Sequence, residues 1–246
     1  MARRVNGSGL LTMVGLLGLW EATVRGGLLE FQYLPAPSAI GRGMGAVFSS
    51  GELAAATLHT LRVTVLGWLL ASVLGAGLGV VLGLSNAAWR YSMASIEVMR
   101  AIPPVTLVPV ALLVFGFSVR MELTIILFVS AWPVLVNTID GVRGVRSELL
   151  DVARMLRLPP GARLGKIVLP AALPSIVVGL RLALSLSLVL AVVAEMIGNP
   201  SGLGNALVRS SQSLRPEEMF AYVFAIGLLG VALNAGLQRL VARVQS

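Results

Sequence analysis

Six long apolar stretches separated by short polar ones set the pattern of this chain. They fall at about 9–29, 60–88, 93–119, 123–139, 176–197 and 219–237. A helix that crosses a hydrocarbon layer needs about 20 apolar residues. Within that layer each backbone N–H and C=O must bond inside its own segment. The pattern therefore predicts an all-α integral membrane protein, with six transmembrane helices in a single domain over residues 1–246. The first run follows Arg3 and Arg4 and continues to Leu29 with no convincing small-residue cleavage site, so it reads as a retained helix rather than a removed signal. Glu21 and Arg25, four apart, are placed to pair on one face of it.

Inside the runs, four local patterns stand out. Gly67, Ala71, Gly75, Gly79 and Gly83 recur every four residues, which puts small side chains along one helix face and lets another helix approach closely. The third run holds Glu97, Arg100 and the doublet Pro103-Pro104, which removes backbone donors and kinks the helix. Kinked backbone at membrane depth is tolerated where it faces protein or water, so Arg100, Pro103 and Pro104 are candidate pathway or gate residues. The fifth run holds Arg181 near one end and Glu195 near the other, and an intramembrane carboxylate is a further pathway or gate candidate. Between runs, the stretch from Leu34 to Leu53 reads as an external connection whose amphipathic part, Ile40 to Val47, rests on the surface, and Asn199 to Gly204 reads as an outer turn.

The longest polar interruption is Asp151 to Pro174. Asp151 to Leu158 is expected as a short helix, with its acid in the first turn and Arg154 and Arg157 towards its end, the order the helix dipole favours. Pro159, Pro160 and Gly161 break it. A second short helix, Ala162 to Leu169, carries Arg163 and Lys166 on one side and Leu164, Ile167 and Val168 on the other, and Pro170 and Pro174 are expected to end it. Two such helices lie flat at a membrane surface and present a knob to a soluble partner.

Composition narrows the functional classes. The chain is 57% hydrophobic and 12% charged, against about a quarter charged in soluble domains. The net charge of +8 comes from dispersed residues without aromatic interleaving, which argues against nucleic acid. The charge marks topology instead. With both termini in the cytoplasm, Arg3, Arg4, Arg90, Arg143, Arg146, Arg154, Arg157, Arg163, Lys166, Arg239 and Arg243 lie inside. Only Arg25, Arg42, Arg120, Arg209 and Arg215 lie outside. There is no cysteine for a disulfide or a thiolate. His59 is the only histidine, and the sequence offers no metal ligands around it and no catalytic constellation. Gly161 to Lys166 has a superficial phosphate-loop look, but the glycine spacing is one short, Ile167 replaces the hydroxyl residue and no strand precedes it.

The polar elbow resembles the signature loop of permease subunits of bacterial ATP-binding-cassette importers. That pattern is Glu-Ala-Ala, three residues, Gly, nine residues, then Ile, any residue, Leu-Pro. Asp151, Val152 and Ala153 match its start, and Ile167, Leu169 and Pro170 match its end. Arg157 stands in the glycine slot, where glycine would permit a left-handed conformation that arginine resists. Further stretches look like the aliphatic sulfonate, taurine and nitrate permeases: LPAPSAI (34–40), the end of the second run (75–85), RAIPPVTLVPVALLVFG (100–116), NTIDGVRGV (137–145), VVAEMIG (192–198) and SGLG (201–204).

The resemblance implies a type I importer permease fold with a cytoplasmic coupling helix, in a bacterial cytoplasmic membrane. The coupling loop spans about 148–170, with Asp151, Val152, Ala153, Arg154, Arg157, Gly161, Ile167, Leu169 and Pro170 as its site residues. It further implies a second permease copy, two ATP-binding subunits and an extracytoplasmic binding protein as partners. ATP and Mg then sit on the partner ATPase, and this chain binds no cofactor and is not itself an enzyme. The expected cargo is a sulfonate or another small organic anion, with nitrate, bicarbonate, pyrimidine precursors and flavins open. A stand-alone secondary transporter is the alternative, although it would normally have more spans and inverted repeats; a membrane-embedded enzyme is the other.

Overall fold

The computed structural model describes residues 7–27 and 33–244. Among these residues the chain is helical, without strands, and runs α1 (Gly7–Arg25), α2 (Pro37–Ser49), α3 (Glu52–Leu84) and α4 (Asn86–Arg100). A single 3-10 turn (Pro104–Thr106) leads to α5 (Leu107–Phe115), α6 (Val119–Arg143), α7 (Ser147–Met155) and α8 (Pro160–Arg163). A π-helical turn (Leu164–Val168) then leads into α9 (Leu169–Gly198), followed by α10 (Gly202–Gln212) and α11 (Pro216–Val244).

The core is α6 held between α3 and α9, and glycine sets the spacing. Along α3 every member of the small-residue stripe is buried against α6. A methyl group at Gly67 would sit 2.5 Å from Ile126 Cγ2, at Gly75 2.7 Å from the Ala131 carbonyl, and at Gly79 2.6 Å from Thr138 Cβ. On the other side of α6, Gly179 of α9 meets the Pro133 carbonyl in the same way. Close approach substitutes here for the hydrophobic drive that helices lack in lipid. Buried hydroxyls are returned to the bundle: Ser187 bonds Ser130 across α9 and α6 at 2.9 Å, and Thr138 donates to the Val134 carbonyl.

Among the described residues four helices are long and apolar enough to cross a membrane: α3, α6, the continuous stretch Pro160–Gly198 and α11. A fifth crossing comes only from a broken pair, α4 with Pro104–Phe115, bent by 75°. The kink expected at Pro103-Pro104 is thus a full break in the span, and α5 alone, at 9 residues, reaches about 14 Å. α1 is not among the four; the sequence places its run at 9–29, and residues 28 and 29 lie outside the described residues.

Two expectations are corrected. Ile40 to Val47 does not simply rest on a surface: Ile40, Gly43 and Val47 are buried and α2 packs on α11, so closely that a Cβ at Gly43 would meet Glu217 backbone at 2.7 Å. Pro170 and Pro174 do not end a helix either. The π-helical turn widens the backbone just before Pro170, with the Leu169 N–H reaching back five residues to Leu164, and helix continues through both prolines to Gly198. A widened turn gives room for a ring that would otherwise clash with the preceding carbonyls.

Glu21 and Arg25 form the expected ion pair. Its carboxylate also accepts from the Ser38 N–H (3.0 Å) and Oγ (2.7 Å), which fixes α1 to the uncapped start of α2.

Candidate functional site

The polar elbow forms one end of the three-helix core. α7 lays Ala153 into the core, almost fully buried, near a cluster of Val142, Val145, Val168 and Ala172 that Leu150 and Leu164 also contact. Around Ala153 the elbow is bare: Leu149, Val152 and Met155 of α7 and Leu156 just beyond it are exposed, Met155 by 82%. Exposed acid and base accompany them, with Asp151 and Arg154 paired at 2.6 Å and Arg146 and Glu148 at 3.3 Å. Pairs this exposed stabilise by a few tenths of a kcal/mol at most, so they shape the surface rather than hold it.

The elbow turns at Arg157, which adopts φ +45°. The Leu158 N–H bonds the Ala153 carbonyl (3.0 Å) and the Arg157 N–H bonds the Arg154 carbonyl (2.9 Å), a Schellman cap whose left-handed position is normally glycine. The glycine-slot geometry is therefore kept although the glycine is not, at a cost of roughly 1–2 kcal/mol. Gly161 and Pro170 are exposed, and Ile167 and Leu169 are half-buried along the stretch that feeds α9.

The four pathway candidates divide between two places. Arg100 ends α4 in an exposed pair with Glu97 at 3.0 Å, and Pro103 and Pro104 form the break that follows. Glu195 lies apart from them, at the end of the bundle opposite the elbow, fully buried. Its carboxylate accepts from Thr60 Oγ1 (2.7 Å) and from the Gly204 N–H (2.9 Å). Thr60 also accepts from the Leu203 N–H (2.9 Å). Ser201 gives α10 no side-chain cap, so Glu195 and Thr60 serve the open, electropositive start of that helix. The fit requires glycine: Gly202 has φ +91°, and a Cβ there would fall 2.1 Å from the Glu195 carboxyl carbon.

Two residues of this cluster escape a reading of the sequence. Glu122 is fully buried in the first turn of α6. It accepts from Asn199 Nδ2 (2.7 Å) and lies 3.3 Å from His59 Nε2. Among the described residues Glu195 is thus one of two buried acids, and His59, read from the sequence as having no ligands around it, faces both. The only signal in the sequence is helical spacing, since His59 and Thr60 start one long run, Glu122 starts another and Glu195 ends a third. Beside the cluster, Glu52, His59, Arg62, Ser201 and Arg209 line a cavity of about 450 Å³.

Comparison with known proteins brings the pattern into focus. Residues 65–246 match the family described as "Binding-protein-dependent transport system inner membrane component". The putative aliphatic sulfonates transport permease protein SsuC of Bacillus subtilis is 31% identical over 222 residues, covering 90% of this chain and 80% of that protein. The bicarbonate transport system permease protein CmpB of Synechocystis is 29% identical over 258 residues, covering 98% and 91%. In fold, the chain is similar to the methionine transporter MetNI in its inward-facing conformations, with a TM-score of 0.62 at 17% identity over 75% of this chain and 94% of that one.

Proposed function

This chain belongs to the binding-protein-dependent transport system inner membrane components, and from that premise we propose how its two ends divide the work. It is the transmembrane permease subunit of an ATP-binding-cassette importer. In our reading the chain pairs with a second permease copy, takes cargo from an extracytoplasmic binding protein and leaves ATP hydrolysis to partner subunits.

The observation that carries this reading is the bare side of α7. A short amphipathic helix that buries Ala153 and leaves Leu149, Val152, Met155 and Leu156 exposed has more apolar surface than it can cover itself. Such a ridge fits a cleft on a soluble ATP-binding subunit, and the Asp151–Arg154 and Arg146–Glu148 pairs form a polar rim around it. Because Pro160–Gly198 is one continuous helical stretch, movement of the elbow passes directly into α9. α6, which touches both α9 and α3 through glycine, and α3, which bonds α9 through Thr60 and Trp68, move with it as a packed unit. Rigid-body shifts of this kind switch a bundle between two states. The α4–α5 break, with Arg100, Pro103 and Pro104, is the place where the span can bend.

The cargo in this reading is a small anion, since both relatives above are named for anionic substrates, sulfonates and bicarbonate. Coexpression with an ATP-binding subunit tests the elbow. Val152→Asp with Met155→Asp is expected to reduce co-purified ATPase at least tenfold while the chain stays in the membrane at normal yield. Normal co-purification and uptake in that variant would refute the docking surface.

A further inference from the structure

The cluster opposite the elbow holds two buried carboxyl groups with, among the described residues, no arginine or lysine side chain against either. Glu122 and Glu195 are both fully buried. Each offers a carboxylate oxygen, and His59 a ring nitrogen, with all of these atoms within 4.8 Å of one another. The start of α10 serves Glu195. Among the described residues neither acid has an arginine or lysine partner; Arg62 and Arg209 line the adjacent cavity without pairing to either. Two carboxyl groups buried side by side can both be ionised only if a cation joins them.

Two further buried oxygens at this end of the core lack partners. Thr64 is fully buried, one turn along α3 on the face by which Thr60 reaches Glu195, and its Oγ1 has no hydrogen bond. Asn205 Oδ1 is buried without a partner and shares a cavity of about 340 Å³ with Glu195.

We propose that His59, Glu122 and Glu195 bind one divalent transition-metal ion of the zinc class, tying α3, α6 and α9 together at the end opposite the elbow. One imidazole with two carboxylates is a ligand set for a borderline cation. The 3.3 Å between His59 Nε2 and Glu122 Oε2 is close to the separation of about 3.3 Å that two ligands have when each lies about 2.0–2.1 Å from a tetrahedral ion; the trio, whose atoms lie within 4.8 Å of one another, closes by side-chain rotation when the ion enters. A dication beside neutral His59 balances both carboxylates. The cavity that His59 lines, about 450 Å³ in volume, gives the ion an entry path and room for water in its remaining positions.

The test uses the full chain in lipid nanodiscs, without a polyhistidine tag, stripped with chelator and titrated with ZnCl2 or CoCl2 alone. Expected are one ion retained per chain after gel filtration and a raised thermal midpoint. X-ray absorption should show one imidazole per ion, which must be His59 because the chain has a single histidine. His59→Ala and Glu122→Gln should each weaken retention at least ~10-fold. Should either variant fold poorly, the imidazole signal of the unaltered chain decides alone. No retained ion, retention without an imidazole shell, or equal retention in His59→Ala would each overturn the site.

Discussion

The two ends of the α3–α6–α9 core are built from similar residues put to opposite use. They lie about 30 Å apart along α6, from Glu122 to Arg143. At one end Glu122, Glu195, Thr60 and Asn199 are turned inwards and bonded to one another's elements. At the other, Asp151 and Arg154 are turned outwards and apolar side chains go uncovered beside them. In a chain that is mostly hydrocarbon, polarity alone does not mark a partner surface. Burial separates the two cases: the inward cluster holds the helices to each other, and the outward elbow offers them to something else.

The sharpest way to break this contrast is at the inward end. Gly202→Ala should cost at least ~3 kcal/mol, since it adds a side chain at φ +91° and drives the Glu195 carboxylate off the start of α10. The check is the thermal midpoint of purified protein, and an unchanged midpoint would mean that the cluster is not tight. Midway along the core, Gly79→Leu should cost about 3 kcal/mol, because the Leu135 carbonyl lies 2.8 Å from the new Cβ and backbone cannot step aside. Glu195→Gln should cost about 2 kcal/mol, the worth of charge-assisted bonds to Thr60 and Gly204, with assembly retained.

At the elbow the expected effects on stability are smaller. Arg157→Gly should stabilise the chain by up to ~1 kcal/mol, the relief of a left-handed arginine less the extra freedom glycine brings to the unfolded chain. A loss of stability in that variant would mean that the arginine side chain has a partner role. Met155→Asp should change stability by less than ~0.5 kcal/mol, although it strikes at docking; a large loss would mean that Met155 packs within the chain.

The sequence discloses the elbow better than it discloses the cluster, and the reason is range. α7, which runs Ser147–Met155 rather than the expected 151–158, and the left-handed slot at Arg157 that ends it ahead of Pro159 are set by residues within a few positions of each other. The glycine stripe of α3 is likewise local, and its packing against α6 follows from size alone. The cluster depends on His59, Glu122 and Glu195, which lie on three different helices and are brought together only by the fold. Each alone reads as an interface or turn residue. The prolines mislead for a different reason: at Pro103-Pro104 the span breaks outright, whereas at Pro170 a π-helical turn absorbs the ring and helix continues. Proline identity is visible in the sequence, but the room around the ring is not.

The chain has no cysteine, so a single introduced thiol reports one position cleanly. Cross-linking of Met155→Cys to a coexpressed ATP-binding subunit, beside Phe117→Cys from the turn at the opposite end, tests the division of the two ends most directly. The account predicts a cross-linked product from position 155 and none from position 117. A product from 117, or labelling of 155 by a membrane-impermeant maleimide added outside intact cells, would contradict it.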